Sequence, residues 1–333
     1  MELSYSFIIP VYNRPDEIKE LLDSFNEVRF SSLYEIVIIE DGSSIPCKEV
    51  VDQYTDLTIS YYVKPNSGPG DSRNYGMRKA KGNYFIILDS DVLLPKHYLE
   101  VVDQSLNDEY VNCFGGSDTA HPSFTNLQKA INYSMTSFLT TGGIRGKKTA
   151  MQKFEPRSFN LGLSKEAFEA SEGFGKIHPG EDPDLVIRLW KLGYKTKLIA
   201  DAYVYHKRRI SWSKFYKQVS KFGGVRPILN SWHPTSRKLT FWLPSLFLLG
   251  LVFSMGVSFY FKQVLFLWVY IVYASILLVD ATIKTRNPII AIQAVFAAFL
   301  QFIGYGYHFL KSTIKLMFNS KPADVLFPHL FFK

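Results

Sequence analysis

Two cysteines in 333 residues, Cys47 and Cys113, are too few for a disulfide framework and fit no metal-ligand spacing. Both are read as packing thiols in a reducing compartment. Negative charge is the second scarcity, and it is local. Residues 202–333 hold only Asp280 and Asp324 against 16 Lys and Arg, a net of +14. Residues 1–201 hold 22 Lys and Arg against 28 Asp and Glu, a net of −6, and the two halves sum to the overall +8. No Gly-x-Gly-x-x-Gly follows the first apolar run, which argues against a dinucleotide-dependent oxidoreductase. Residues 1–6 lack a basic stretch and residues 7–11 are too short an apolar core, so no secretory signal is expected there.

What the chain has in excess is apolar surface: 47% of it is hydrophobic and 16% aromatic, high for a soluble enzyme. Residues 240–261, 264–279 and 288–310 carry no charge. Crossing roughly 30 Å of hydrocarbon takes about 20 residues, so the first and third runs are long enough and the second is marginal. Lys207, Arg208, Arg209, Lys214, Lys217, Lys221, Arg237 and Lys238 precede the first run. The positive-inside rule then predicts a cytoplasmic membrane protein whose N-terminal domain faces the cytoplasm. Three crossings would leave Lys311, Lys315 and Lys321 outside, which that rule disfavours, and the third run contains Gln301, Gly304, Gly306 and His308. Two crossings with a re-entrant or interfacial segment, and three crossings, both stay open. Because the basic charge flanks apolar runs, an anionic membrane is the expected partner and nucleic acid is not. Trp212, Phe215, Tyr216, Val219 and Phe222 share one helical face, the pattern of a helix lying in a membrane interface; docking within a soluble protein is the alternative.

Residues 1–201 alternate apolar runs with helical patterns, which predicts a mostly parallel α/β sheet. Strands are expected over residues 6–10, 34–40 and 57–63, with helices over 15–25 and 71–80. Gly142-Gly143-Ile144-Arg145-Gly146-Lys147-Lys148 lies in a long polar loop of the functional or disordered kind. In Gly180-Glu181-Asp182-Pro183, Asp182 fits a helix N-cap, Pro183 the first helical position, and Gly193 the residue beyond the helix. Leu185, Leu189 and Leu192 are expected on its buried stripe, widened by Val186 and Trp190. A short strand pair, 195–199 and 202–206, closes this part. The expected division is a catalytic domain over 1–210, an amphipathic segment over 211–238, membrane or re-entrant helices over 239–318 and a tail over 319–333.

The chemistry concentrates in Asn83-Tyr84-Phe85-Ile86-Ile87-Leu88-Asp89-Ser90-Asp91, a buried strand pattern ending in two carboxylates one residue apart. In a strand those two would share a face, where they can hold a hard divalent cation beside a phosphate. A solvated surface turn is the competing reading of Asp89 and Asp91 alone.

Taken in order, the motifs resemble the family 2 glycosyltransferases, inverting enzymes on the GT-A fold, over about residues 4–224. The match runs through Phe7-Ile8-Ile9-Pro10-Val11-Tyr12-Asn13-Arg14, Ile38-Ile39-Glu40-Asp41-Gly42-Ser43-Ser44, Asn66-Ser67-Gly68-Pro69-Gly70-Asp71-Ser72-Arg73-Asn74, the Asp-x-Asp pair and Glu181-Asp182. The resemblance implies a Rossmann-like catalytic domain that binds a nucleotide-diphosphate sugar. Pro10 and Tyr12 would line the base and ribose, Asp41 would accept from the base (an Asx turn is the alternative), and Arg73 would meet phosphate or base. Asp89 and Ser90 would contact the nucleotide sugar, and Asp89, Asp91 and His206 would hold Mg²⁺ or Mn²⁺. Asp182 would act as general base, with Glu181 orienting acceptor or base; capping would keep Asp182 ionised and weaken it in that role. Gln218-Val219-Ser220-Lys221-Phe222 departs from the Gln-x-x-Arg-Trp of processive members, which argues against a polymer-extruding synthase. The expected acceptor is a lipid-linked or membrane-associated glycan in cell-surface polysaccharide assembly. A polyprenyl-phosphate sugar synthase and a non-catalytic nucleotide-binding membrane scaffold are the alternatives.

Overall fold

The computed structural model describes residues 2–28, 30, 34–119, 124–141, 154–206 and 211–332. The glycine- and lysine-rich run 142–148 and the basic residues Lys207, Arg208 and Arg209 therefore lie outside the described residues. The chain forms two compact units, one of Met1–His121, Gly146–Lys207 and Phe331–Lys333, the other of Pro122–Arg145 and Arg208–Leu330.

The first unit is built on an eight-stranded sheet: β1 Tyr5–Val11, β2 Tyr34–Asp41, β3 Ile59–Lys64, β4 Tyr84–Leu88, β5 Val92–Leu93, β6 Cys113–Thr119, β7 Asn160–Ser164 and β8 Thr196–His206. Their order is β3-β2-β1-β4-β7-β6-β8-β5. The run β3-β2-β1-β4 is parallel, β7 is antiparallel to β4 and β6, and β8 is parallel to β6. Both faces are covered. Phe7, Ile9, Ile36, Ile38, Ile86 and Leu88 enter one core cluster, while Ile8, Val37, Ile39, Phe85 and Ile87 enter another. That division follows from the two-residue period of a strand and explains why these strands read as unbroken apolar runs rather than alternating ones. The helix Pro15–Phe25 seals the first face with Ile18, Leu21, Leu22 and Phe25, spaced for one helical side. β2 and β4 flank β1 on opposite sides, so the carboxyl ends of β1 and β4 meet at a switch in strand order, where open α/β sheets leave a crevice.

Three local expectations are corrected. The strand before the two acids ends at Leu88, so Asp89 and Asp91 occupy the turn between β4 and β5 rather than alternate positions of one strand. The 181–191 helix begins two residues earlier than its composition suggests. Gly180 is the N-cap at φ 121, and Asp182 and Pro183 lie inside the first turn of Glu181–Lys191. Leu192 is its C-cap and 53% exposed, outside the buried stripe. Residues 196–206 form one strand rather than two, with the irregularity on β8, whose residues 200–203 lie between the partners of Gly116 and Asp118.

In the second unit, the helix Trp212–Trp232 buries Phe215 and Val219 against Ile131, Met135 and Ala297. Among the described residues, three helices are long and apolar enough to cross a membrane: Leu239–Phe261, Leu267–Thr285 and Pro288–Met317. The middle one, marginal as an uncharged run, becomes 19 residues by including Asp280 and Lys284.

Candidate active site

The carboxyl ends of β1, β2, β4 and β8 supply the polar groups. At the exit of β1, Pro10 is partly buried and the Tyr12 ring stands 51% exposed. Asn13, at φ 55, ties this loop to the next: its backbone N–H donates to Ser43 Oγ at 2.7 Å, and its Oδ1 accepts from Ile45 N–H at 2.9 Å. Asp41 closes β2 with both carboxylate oxygens engaged. Lys64 Nζ donates to Oδ1 at 2.8 Å, and the Ser67 and Gly68 backbone N–H groups donate to Oδ1 and Oδ2 at 3.0 Å each. Asp41 thus fixes the loop that opens the helix Pro69–Lys79.

That helix carries Arg73, 3% exposed, at the centre of a charge relay. Its Nη2 donates to Asp89 Oδ1 at 2.7 Å and its Nη1 to Glu181 Oε1 at 3.1 Å, while the guanidinium lies 5.3 Å from the centre of the Phe174 ring. Past β4, Ser90 donates to Glu17 Oε2 at 3.2 Å. Asp91 sits between two cationic or basic partners, Arg14 Nη1 at 3.5 Å and His206 Nε2 at 3.3 Å. His206 ends β8, stacks on Phe159 at 4.8 Å, and turns Nδ1 toward Asp118 at 3.8 Å.

Asp89, Asp91 and His206 each offer a ligand atom, all within 4.8 Å of one another. Two carboxylates and an imidazole suit Mn²⁺ well and Mg²⁺ adequately, so the donor set fits the cation expected from sequence. Asp118 behind His206 is the kind of outer carboxylate that orients a metal-binding imidazole.

Glu181 and Asp182, adjacent in the helix's first turn, are held differently. Burial alone would raise the Glu181 carboxyl, but the His178 ring, 3.0 Å away at Nδ1, and Arg73 outweigh it and bring it down to about 2. Asp182 accepts from the Ser158 backbone N–H at 3.3 Å and Oγ–H at 3.2 Å. Burial raises its pKa, and the adjacent Glu181 charge raises it further, against the pull of Arg157 and Arg73. The expected weakening of Asp182 by capping does not arise, because Gly180 takes the cap.

The structure therefore gathers Arg73, Asp89, Asp91, Glu181, Asp182 and His206 into linked contacts and leaves Tyr12 exposed at the strand exit. Sequence reasoning missed Arg14, Asp118, Ser158 and His178. Arg14 was visible inside the first motif; the other three have no signal apart from the partners the fold brings to them.

Comparison with known proteins gives the same frame. Residues 6–169 match the family described as Glycosyl transferase family 2. GalNAc(5)-diNAcBac-PP-undecaprenol beta-1,3-glucosyltransferase of Campylobacter jejuni is 28% identical over 190 residues, 56% of this chain and 59% of its own. An uncharacterized glycosyltransferase of Rickettsia felis is 39% identical over 97 residues, 29% of this chain and 16% of its own. The chain thus spans less than two thirds of these relatives. Among solved structures, the mannosyltransferase PcManGT of Pyrobaculum calidifontis, in complex with GDP-Man and Mn²⁺, superposes with a TM-score of 0.57 at 15% identity, covering 96% of this chain and 89% of that one. With the ordered acids at the sheet's carboxyl edge, residues 6–169 belong to glycosyl transferase family 2, in a GT-A domain followed by long C-terminal helices.

Proposed function

We propose that the protein moves a sugar from a nucleoside-diphosphate donor to a hydroxyl of a membrane-associated, lipid-linked glycan, with inversion at the anomeric carbon, on the cytoplasmic face of a membrane. The observation that carries this reading is the Asp89–Asp91–His206 cluster, linked through Arg73 and Glu181 to an Asp182 carboxyl of raised pKa. A cation held there would neutralise charge on the departing diphosphate. Asp182, oriented by both Ser158 donors, takes the proton of the acceptor hydroxyl as its oxygen forms the new glycosidic bond. The bond from the anomeric carbon to the diphosphate oxygen breaks with its electron pair leaving on that oxygen. A base works best with its pKa drawn toward the working pH, which is the direction given by burial and Glu181. Tyr12 is the exposed ring available for the nucleobase, and Arg14 the partly exposed cation beside Asp91. The lipid-linked acceptor is supported by the undecaprenol-linked substrate in the name of the Campylobacter relative and by the three apolar helices.

The test is release of nucleoside diphosphate by the full chain in lipid nanodiscs across a panel of nucleotide sugars. Release should require Mn²⁺ or Mg²⁺, stop with EDTA, and fall by about two orders of magnitude in Asp91→Ala and His206→Ala. Asp182→Asn should lower transfer by about 10²–10⁴-fold. Turnover unaffected by EDTA would overturn the proposal; near-normal turnover in Asp182→Asn alone would mean an acceptor that is already an anionic phosphate.

A further inference from the structure

The last described residues of the chain, Phe331 and Phe332, are part of the catalytic unit. Phe331 pairs antiparallel with Ile177, and the Phe332 N–H donates to the Lys176 carbonyl at 3.1 Å. This pairing lays the Phe332 ring across Gly68, where a Cβ would come within 2.3 Å of the ring; Gly68 also holds φ +92, so glycine is required there twice over. The ring centre stands 5.7 Å from that of His178, whose Nδ1 contacts Glu181.

Phe332 lines a cavity of about 290 Å³ together with Phe174, Ser67, Asp71, Lys176 and His178. Gly70 lines it as well, and a Cβ there would stand 3.9 Å from Glu181 Cβ, so the cavity lies next to the first turn that carries Asp182. Small-molecule sites of about 300–1,000 Å³ combine apolar walls with a few directed polar groups. This one, at the small end, combines polar side chains with two aromatic rings, a lining suited to a single sugar ring, which offers both hydroxyls and a C–H face.

We propose that this cavity is the subsite for the acceptor's terminal sugar and that Phe332, at the end of the chain, is a specificity-determining residue whose ring closes it. The inference deepens the proposed transfer reaction and rests on it for the role of the bound sugar, but not for the binding itself.

Two measurements on the full chain in nanodiscs decide it. Binding is read by saturation-transfer NMR with the methyl β-glycosides of glucose, galactose, N-acetylglucosamine and N-acetylgalactosamine. At least one should bind the wild type, with affinity about tenfold weaker in Phe332→Ala and restored in Phe332→Tyr. Transfer is read as the ratio of glycoside formed to donor hydrolysed in water, which should fall by a similar factor in Phe332→Ala. Transfer and hydrolysis falling in parallel would make the tail a structural prop and overturn the proposal, as would a Phe332→Ala protein that binds every glycoside as the wild type does, or a wild type that binds none. Absence of cation-dependent donor turnover with glycoside binding intact would sink the transfer reading instead and leave the sugar site standing.

Discussion

At the scale of single residues, Glu181 and Asp182 are neighbours under opposite electrostatic pressure. Glu181, drawn down to about 2, is below its unfolded value, so its contribution to stability is present above about pH 4.5 and is lost as pH falls toward 2. Asp182 is raised, so its contribution is present below the unfolded value and is lost as pH rises through the folded one; burial and the Glu181 charge disfavour its ionised form in the fold. Asp182→Asn should therefore melt no lower than wild type at pH 7 even as it loses transfer. Glu181→Gln should lose about 3–5 kcal/mol, because it leaves Arg73 buried with half its pairing gone. Melting curves at pH 7 and pH 3 check both, and the wild type's margin over Glu181→Gln should shrink at the lower pH. A lower melting point for Asp182→Asn at pH 7 would contradict that assignment. The sequence showed these acids but not their difference. Arg73 and Glu181 are 108 positions apart, and no local pattern announces that they meet. The misplaced cap has a local cause: Asp before Pro has the composition of a helix start, while the chain actually enters through Gly180 at a φ that favours glycine.

At the scale of elements, the parallel core was legible because β1, β2 and β4 are buried on both faces and leave unbroken apolar runs. The β6–β8 region was not, because its geometry depends on a bulge. Between Gly116 and Asp118 the register against β8 shifts, and beyond the shift Asp118 pairs with Val204 and turns toward His206. Gly116 permits this approach: a Cβ there would lie 1.9 Å from the Ala202 carbonyl oxygen, which already accepts from Asn160 Nδ2 at 2.8 Å. The first atom is backbone, and the Asn160 side chain is held at both ends of its amide, by Ala202 and by the Tyr98 hydroxyl. Gly116→Ala should consequently destabilise by about 1–3 kcal/mol and weaken Mn²⁺ activation about 10–100-fold by shifting the carboxylate behind His206. Urea unfolding and a Mn²⁺ titration of donor turnover measure the two effects. Unchanged cation dependence alongside lost stability would separate the bulge from the proposed metal site.

At the scale of the whole molecule, the pairing of residues 331 and 332 bears on a question that hydropathy left open. Phe331 and Phe332 pair with Lys176 and Ile177 in the catalytic unit, so in a membrane these two residues are expected on the same side as that unit. The pairing predicts an even number of crossings. Within the helical unit, Pro288–Met317 meets both ends of a hairpin formed by the other two long helices. Ser245, at the start of one, donates to the Gly306 carbonyl at 2.9 Å, and Leu277 and Ala281, near the end of the other, pack with Ile290, Ala291 and Ala294. Tyr133 adds a hydrogen bond to Asp280, at 2.5 Å, from a helix inserted in the catalytic sequence. An arrangement with two crossings would also keep Lys311, Lys315 and Lys321 on the side that the positive-inside rule prefers. The native cysteines are buried and quiet toward maleimides, so single exposed cysteines can report each side. In intact cells an impermeant maleimide should label Val264→Cys, in the tight loop between the crossings, and should reach Asn319→Cys only after permeabilisation. Labelling of both from outside would require three crossings, and the pairing of the chain end with residues 176–177 could not then form in the membrane.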